Sequence, residues 1–195
     1  MTTVGARRAF AIGGPLIAAL VTGLFALSYI VSTLLGFPTS LSEPTWLRLV
    51  GGVVVVLALV WLGWTFNNRN PANVIVSTYV TFLKALRRIP AAERAGRTEP
   101  LVVSGPQRYT RNPLYFGVVV MVFGWALFGG YSFVYVATLV LLVWFSEILI
   151  PFEERELDAL FGEDWIKYSR ETPMLVPFTK RGKRRNPDTA ASNSG

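Results

Sequence analysis

"LYFGVVVMVFGWALFGGYSFVYVATLVLLVWFSEILI", residues 114–150, contains 37 residues and one charge, Glu147. As a single α-helix it would run roughly 55 Å at about 1.5 Å per residue. The hydrocarbon core of a bilayer is only about 30 Å thick. The middle of the run, Phe128-Gly129-Gly130-Tyr131-Ser132, holds residues that tolerate a left-handed turn. The spacing therefore predicts two helices, 114–129 and 132–152, folded into a tight antiparallel hairpin. Two more charge-free runs, 9–42 and 49–68, predict helices near 10–35 and 47–66. The fold class is therefore all-α: a polytopic membrane bundle of about four transmembrane helices with a C-terminal helical hairpin.

Charge placement orients this bundle. Of the 19 basic residues, all but Arg48 fall in the N-terminus, the 67–113 loop or the stretch from Arg155 onward. With an even number of spans these three regions share one side, and the positive-inside rule makes that side cytoplasmic. The net charge of +7 is then a matter of topology, and a nucleic-acid partner is not implied. The first helix begins after only nine residues and lacks a convincing cleavage site, so it is expected to be a retained span. With no cysteine and no histidine, disulfides, thiol catalysis, histidine triads and the usual metal sites are disfavoured.

Between the spans, the 67–113 loop is long enough to carry function. Residues 73–89 read either as an interfacial amphipathic helix with Lys84, Arg87 and Arg88 toward headgroups, or as a short re-entrant piece. Beyond the hairpin, Leu157, Leu160 and Phe161 recur at helical spacing, and Trp165 and Tyr168 follow a glycine break. Helix 4 is expected to continue into the cytoplasm, break at the glycine, and give way to a short helix. One domain over 1–178 is expected, followed by a basic disordered tail, 179–195, near anionic lipid.

Three groups carry chemistry. Asn112-Pro113 precedes a helix, where asparagine caps and proline opens the first turn; Arg108 and Arg111 beside it suit interfacial snorkelling. Glu153 and Glu154 follow the last span and read locally as a solvated pair. Glu147 lies two turns inside the apolar run, where a carboxylate needs a partner or a wet cavity. It shares the Glu154 face at i+7. An antiparallel hairpin sets the start of helix 3 beside the end of helix 4. Arg111, Asn112 and Tyr115 are thereby brought toward Glu147, Glu153 and Glu154. Such a pocket suits a zwitterionic ligand from the cytoplasm and an amphiphile from the lipid.

"LVVSGPQRYTRNPLYFG" at 101–117, "GWALFG" at 124–129 and "FEERELDALFGEDWIKYSRETPMLVP" at 152–177 together resemble the isoprenylcysteine carboxyl methyltransferase and phospholipid methyltransferase superfamily. The resemblance covers roughly 98–178 in both order and spacing. It implies a membrane-embedded methyltransferase using S-adenosyl-L-methionine and a lipid or other hydrophobic acceptor, such as a phospholipid amine or an isoprenoid carboxylate. Carried over by motif, the cofactor would touch Glu99, Pro100, Leu101, Val102, Gln107, Arg111, Asn112, Pro113, Leu114, Tyr115, Glu153 and Glu154. The catalytic assignments are Arg111 for the methionine carboxylate, Glu154 or its neighbour Glu153 for the ribose or amino group, and, where the acceptor is a lipid amine, Glu147 as base. Gln107 stands where the family usually has tyrosine, and Asn112 where eukaryotic members have histidine. Two alternatives remain from the residues: an NADPH-dependent reductase of the sterol-reductase type, and a non-catalytic lipid-binding bundle.

Overall fold

Helices that meet in an apolar solvent pack closest where their side chains are smallest, because burial against a neighbour gains little over burial in lipid. One seam of this protein is built on that rule. The computed structural model describes residues 19, 21–68 and 101–179, and the elements below are drawn from these. Helix α1 is Val21–Leu34, α2 is Thr45–Asn68, α3 is Pro113–Gly129, α4 is Ser132–Phe161 and α5 is Glu163–Glu171. The expected segment 73–89, the 69–100 part of the loop, Glu99, Pro100 and the tail from 180 lie outside the described residues.

Helices α2 and α3 are antiparallel and locked by glycine. A Cβ at Gly51 would sit 2.4 Å from the Phe128 amide nitrogen, one at Gly117 would sit 2.6 Å from a Leu62 methyl, and one at Gly124 would sit 2.9 Å from the Val55 nitrogen. Backbone lies in contact with backbone at two of these points, so no larger residue fits without separating the helices. At the other end of the seam, the Trp61 indole Nε1 donates to the Pro113 carbonyl at 2.9 Å. This tryptophan pins the first turn of α3 and is no simple interfacial anchor.

The expected hairpin is present. Gly130, at φ 66°, closes α3 in the left-handed conformation, and α4 starts at Ser132. The 35–44 segment straps this turn: the Leu41 amide donates to the Gly130 carbonyl at 2.7 Å, and the Ser132 amide to the Thr39 carbonyl at 3.4 Å. The Tyr135 hydroxyl adds a hydrogen bond to the Glu43 carboxylate. As expected, α1 ends at Gly36, at φ 72°. Its core face, Leu24 with Ser28 and Ser32, is buried, and Leu24 packs among Val122, Ala126, Val134, Ala137 and Leu141 of α3 and α4.

Among the described residues the fold is helical, with one isolated antiparallel bridge, Ser40 to Tyr131. Two helices, Thr45–Asn68 and Ser132–Phe161, are long and apolar enough to cross a membrane; Val21–Leu34 and Pro113–Gly129 are apolar but shorter. The outward faces stay apolar, with Leu34 81%, Leu49 66% and Val60 66% exposed. So many large apolar side chains turned outward suit a lipid-facing surface better than water.

Helix α4 departs from the expected regular helix in one respect. Residues Phe145–Leu149 form a π-helical turn between Ser132–Trp144 and Ile150–Phe161. Turns of this kind recur at functional positions in helices. After Gly162 the chain bends and α5 follows, as the glycine break predicted.

Candidate active site

The hairpin brings the start of α3 against the last turns of α4. Two rungs join them. The Arg111 guanidinium makes an ion pair with Glu154 Oε1 at 3.1 Å, with side-chain exposures of 4% and 21%. One helical turn on, the Tyr115 hydroxyl donates to Glu153 Oε1 at 2.8 Å. Both rungs lie at the open end of the hairpin, where Ile150 of α4 also packs against Tyr115. A buried guanidinium needs both charge compensation and contact for its flat faces. Trp165 of α5 supplies the second, with its ring centroid 5.6 Å from the Arg111 guanidinium carbon. Stacking of this kind is worth about 0.5–2 kcal/mol, more when desolvated.

Helix α5 also sets Tyr168 on the same face, three residues after Trp165. Its hydroxyl donates to the Gln107 carbonyl at 2.6 Å. Burial pushes its phenol up to about 12; Arg111 pulls the other way, and Glu154 adds to the rise. A phenol raised in the folded state stabilises fully below its unfolded value of about 10. That contribution is lost as the pH rises from there through about 12. Thermal melts should show a loss of stability across that window, and Tyr168→Phe should remove the step while lowering stability below it by about 1 kcal/mol, the worth of one hydrogen bond.

Gln107 sits in the short 3-10 turn Gly105–Arg108. Its side chain is buried, at 6% exposure, and its Oε1 has no hydrogen-bond partner among the described residues. Leaving a buried acceptor unpaired costs about 1–3 kcal/mol. Such an atom is a natural contact for a donor on a bound ligand.

The Arg-Asn-Pro turn itself is held from a distant part of the chain. Arg111 donates its amide to the Pro173 carbonyl at 2.9 Å. Thr110, fully buried, donates Oγ1 to the Leu175 carbonyl at 2.8 Å. Asn112 stands at the N-cap position without a side-chain cap hydrogen bond. Its Nδ2 donates instead to the Met174 carbonyl at 2.9 Å. Asn112 thus takes the N-cap position expected from sequence, while its side chain ties α3 to Met174 in place of a cap bond. The backbone amide of Asn112 donates to Thr110 Oγ1 at 3.3 Å.

Glu147 requires a correction. It is exposed and falls inside the π turn Phe145–Leu149. The π turn that contains it takes one residue more than an α-turn. That extra residue rotates the N-terminal part of α4 by about 100° relative to its C-terminal part. The i+7 relation to Glu154 assumed an unbroken α-helix and does not hold. Leu101, Val102 and Leu114 are half-buried and Pro113 is buried, with the Pro113 carbonyl committed to Trp61. Sequence reasoning gave no role to Thr110, Trp165 or Tyr168. The Trp-x-x-Tyr spacing, which puts both rings on one face of α5, was the available signal; the Thr110 contact spans 65 residues and leaves none.

Known proteins share this chain's pattern. Residues 92–164 match the phospholipid methyltransferase family model. The methanethiol S-methyltransferase of Mycobacterium tuberculosis is 32% identical over 141 residues, 69% of this chain and 53% of that protein. The methanethiol S-methyltransferase of Crocosphaera subtropica is 30% identical over 139 residues, 65% of this chain and 48% of that protein. The chain thus spans about half the length of these relatives. No solved structure gives a significant match. The superfamily resemblance read from the sequence is borne out by the family match and by both relatives.

Proposed function

We propose, with residues 92–164 matching the phospholipid methyltransferase family as the premise, that this chain is a membrane-embedded, S-adenosyl-L-methionine-dependent methyltransferase acting on a small hydrophobic thiol. The observation that carries the site is the buried Arg111–Glu154 pair, set beside Trp165 and a Gln107 oxygen without a partner among the described residues. These residues fit a zwitterionic, aromatic-bearing ligand. Arg111 would hold a carboxylate, Glu154 an amino group or ribose hydroxyl, and Gln107 Oε1 an N–H donor. When bound, S-adenosyl-L-methionine supplies an electrophilic methyl group on a sulfonium. The protein's own work is alignment and exclusion of water, since in-line displacement depends chiefly on orientation. Asn112, Thr110 and the 173–175 carbonyls fix the turn that carries Arg111, and Tyr115 with its apolar surround shields the inner wall.

The thiol acceptor is supported by the relatives, both named for methanethiol S-methylation. The family's name supports a second reading, a phospholipid amine acceptor, and the apolar outer faces would give such a lipid access. In both readings the loops bearing the site face the cytoplasm, the side that the basic residues favour.

Purified protein in detergent should be stabilised thermally by S-adenosylhomocysteine and not by NADPH. Methyl-labelled S-adenosyl-L-methionine should then label added methanethiol as a volatile thioether. Label in extracted phospholipid instead would favour the amine acceptor, and stabilisation by NADPH alone would sink the methyltransferase reading.

A further inference from the structure

A neutral thiol that accepts a methyl group must lose its proton, so the site needs a group to receive it. Glu147, the base expected from sequence, is exposed and out of register. The second rung offers a different route. Tyr115 is 7% exposed, its hydroxyl donates to Glu153 Oε1 at 2.8 Å, and its ring packs on apolar side chains. Phe145 lies against its ring at 4.7 Å between centroids. Ile150 and Leu175 form a buried cluster with it, flanked by Phe116, Leu149 and Met174. The π turn Phe145–Leu149 supplies two of these side chains, so the irregular turn of α4 builds the apolar wall facing Tyr115. An apolar wall with one hydroxyl already bonded outward to a carboxylate matches a short alkyl thiol.

We infer that Tyr115 and Glu153 form a proton relay that accepts the acceptor's S–H proton during methyl transfer. This rests on the methyltransferase reading above. As the acceptor sulfur bonds to the methyl carbon, the sulfonium C–S bond breaks and its electron pair leaves with the departing thioether. The acceptor S–H becomes strongly acidic as its sulfur is alkylated. Its proton passes to the Tyr115 oxygen while the Tyr115 proton passes to Glu153 Oε1. The phenol ends as it began, and Glu153 ends neutral. Glu153 is half-buried and can return the proton to solvent. Tyr115 is the catalytic residue, and Glu153 acts through it. Among the described residues, Arg111 and Glu154 of the first rung and Tyr168 of α5 also stand in this corner, and the 49–68 part of α2 carries no charge.

The test compares two thiols with the whole protein: ethanethiol, protonated at neutral pH, and 4-nitrothiophenol, already ionised there. Tyr115→Phe and Glu153→Gln should each lower kcat on ethanethiol by roughly 100-fold, the usual worth of a positioned proton acceptor. On 4-nitrothiophenol the loss should shrink to a few-fold. S-adenosylhomocysteine affinity by calorimetry should stay near that of the unchanged protein in both variants, which also reports an intact fold; a large loss would make Tyr115 and Glu153 cofactor contacts, as the family resemblance implies, and overturn the relay. Equal losses on both thiols, or no loss on ethanethiol, overturn the relay while leaving the methyltransferase reading intact. An unchanged protein that methylates neither thiol removes the thiol reading and the relay with it.

Discussion

Arg111→Ala should weaken S-adenosylhomocysteine binding about 100-fold, from the loss of about 3 kcal/mol of charge-assisted contact. The same change should lower stability. Removing one member of a buried pair costs about 3–5 kcal/mol, because the remaining charge stays desolvated. Glu154 keeps 21% exposure, so water relieves part of that and the lower end of the range applies. Arg111→Lys keeps the charge and loses the planar fork and its stack on Trp165. It should recover stability more than binding, since an ammonium cannot serve Glu154 and a ligand carboxylate in one plane. The double change Arg111→Ala with Glu154→Gln should regain stability over Arg111→Ala alone, and should not regain binding. Calorimetry and thermal melts in the same detergent check all three. Binding that survives Arg111→Ala would remove the guanidinium from the site.

Asn112→Asp distinguishes two roles for one residue. Were Asn112 a helix cap, aspartate would replace it at little cost, since the two cap about equally well. In the structure the side chain donates to the Met174 carbonyl at 2.9 Å. An ionised aspartate has no proton to give and would set two acceptors face to face. The expected loss at neutral pH is about 2–3 kcal/mol, from the broken hydrogen bond together with a buried acceptor left unpaired. It should ease as the pH falls toward the usual aspartate value of about 4 and be gone below it, because a carboxyl set against a carbonyl holds its proton to higher pH than a free one. An unchanged melting temperature for Asn112→Asp at neutral pH would restore capping as the role of this residue. Because the Arg111 amide is held by the neighbouring Pro173 carbonyl, ligand affinity should fall in parallel.

The same residue shows where sequence reading succeeds and where it stops. The hairpin was legible because its determinants are local: a charge-free run too long for one crossing, with Gly129-Gly130 at its centre. The pairing of Arg111 with the Glu153-Glu154 region was legible as well, since it follows from the hairpin alone. The partner of Asn112 was not. Asparagine before proline is the common signature of a cap, and the carbonyl that overrides it comes from 62 residues away. Glu147 failed for another reason. Its expected face assumed an even helical period, and the π turn at Phe145–Leu149 shifts phase without any composition signal. The glycines of the α2–α3 seam were visible as letters, yet which helix they faced depends on register between elements.

The carbonyls of Pro173, Met174 and Leu175 that hold the Arg-Asn-Pro turn also fix a sequence of events in biosynthesis. Chains are made from the N-terminus, so α1 to α4 are synthesised before these three residues exist. Until they leave the ribosome, Thr110, Arg111 and Asn112 lack their distant acceptors. A nascent chain can have all of its long helices in the bilayer and still have no anchored Arg111. On the proposed function, ligand capture is thereby deferred until residues 173–175 have left the ribosome, and a chain held earlier would lack the anchored Arg111.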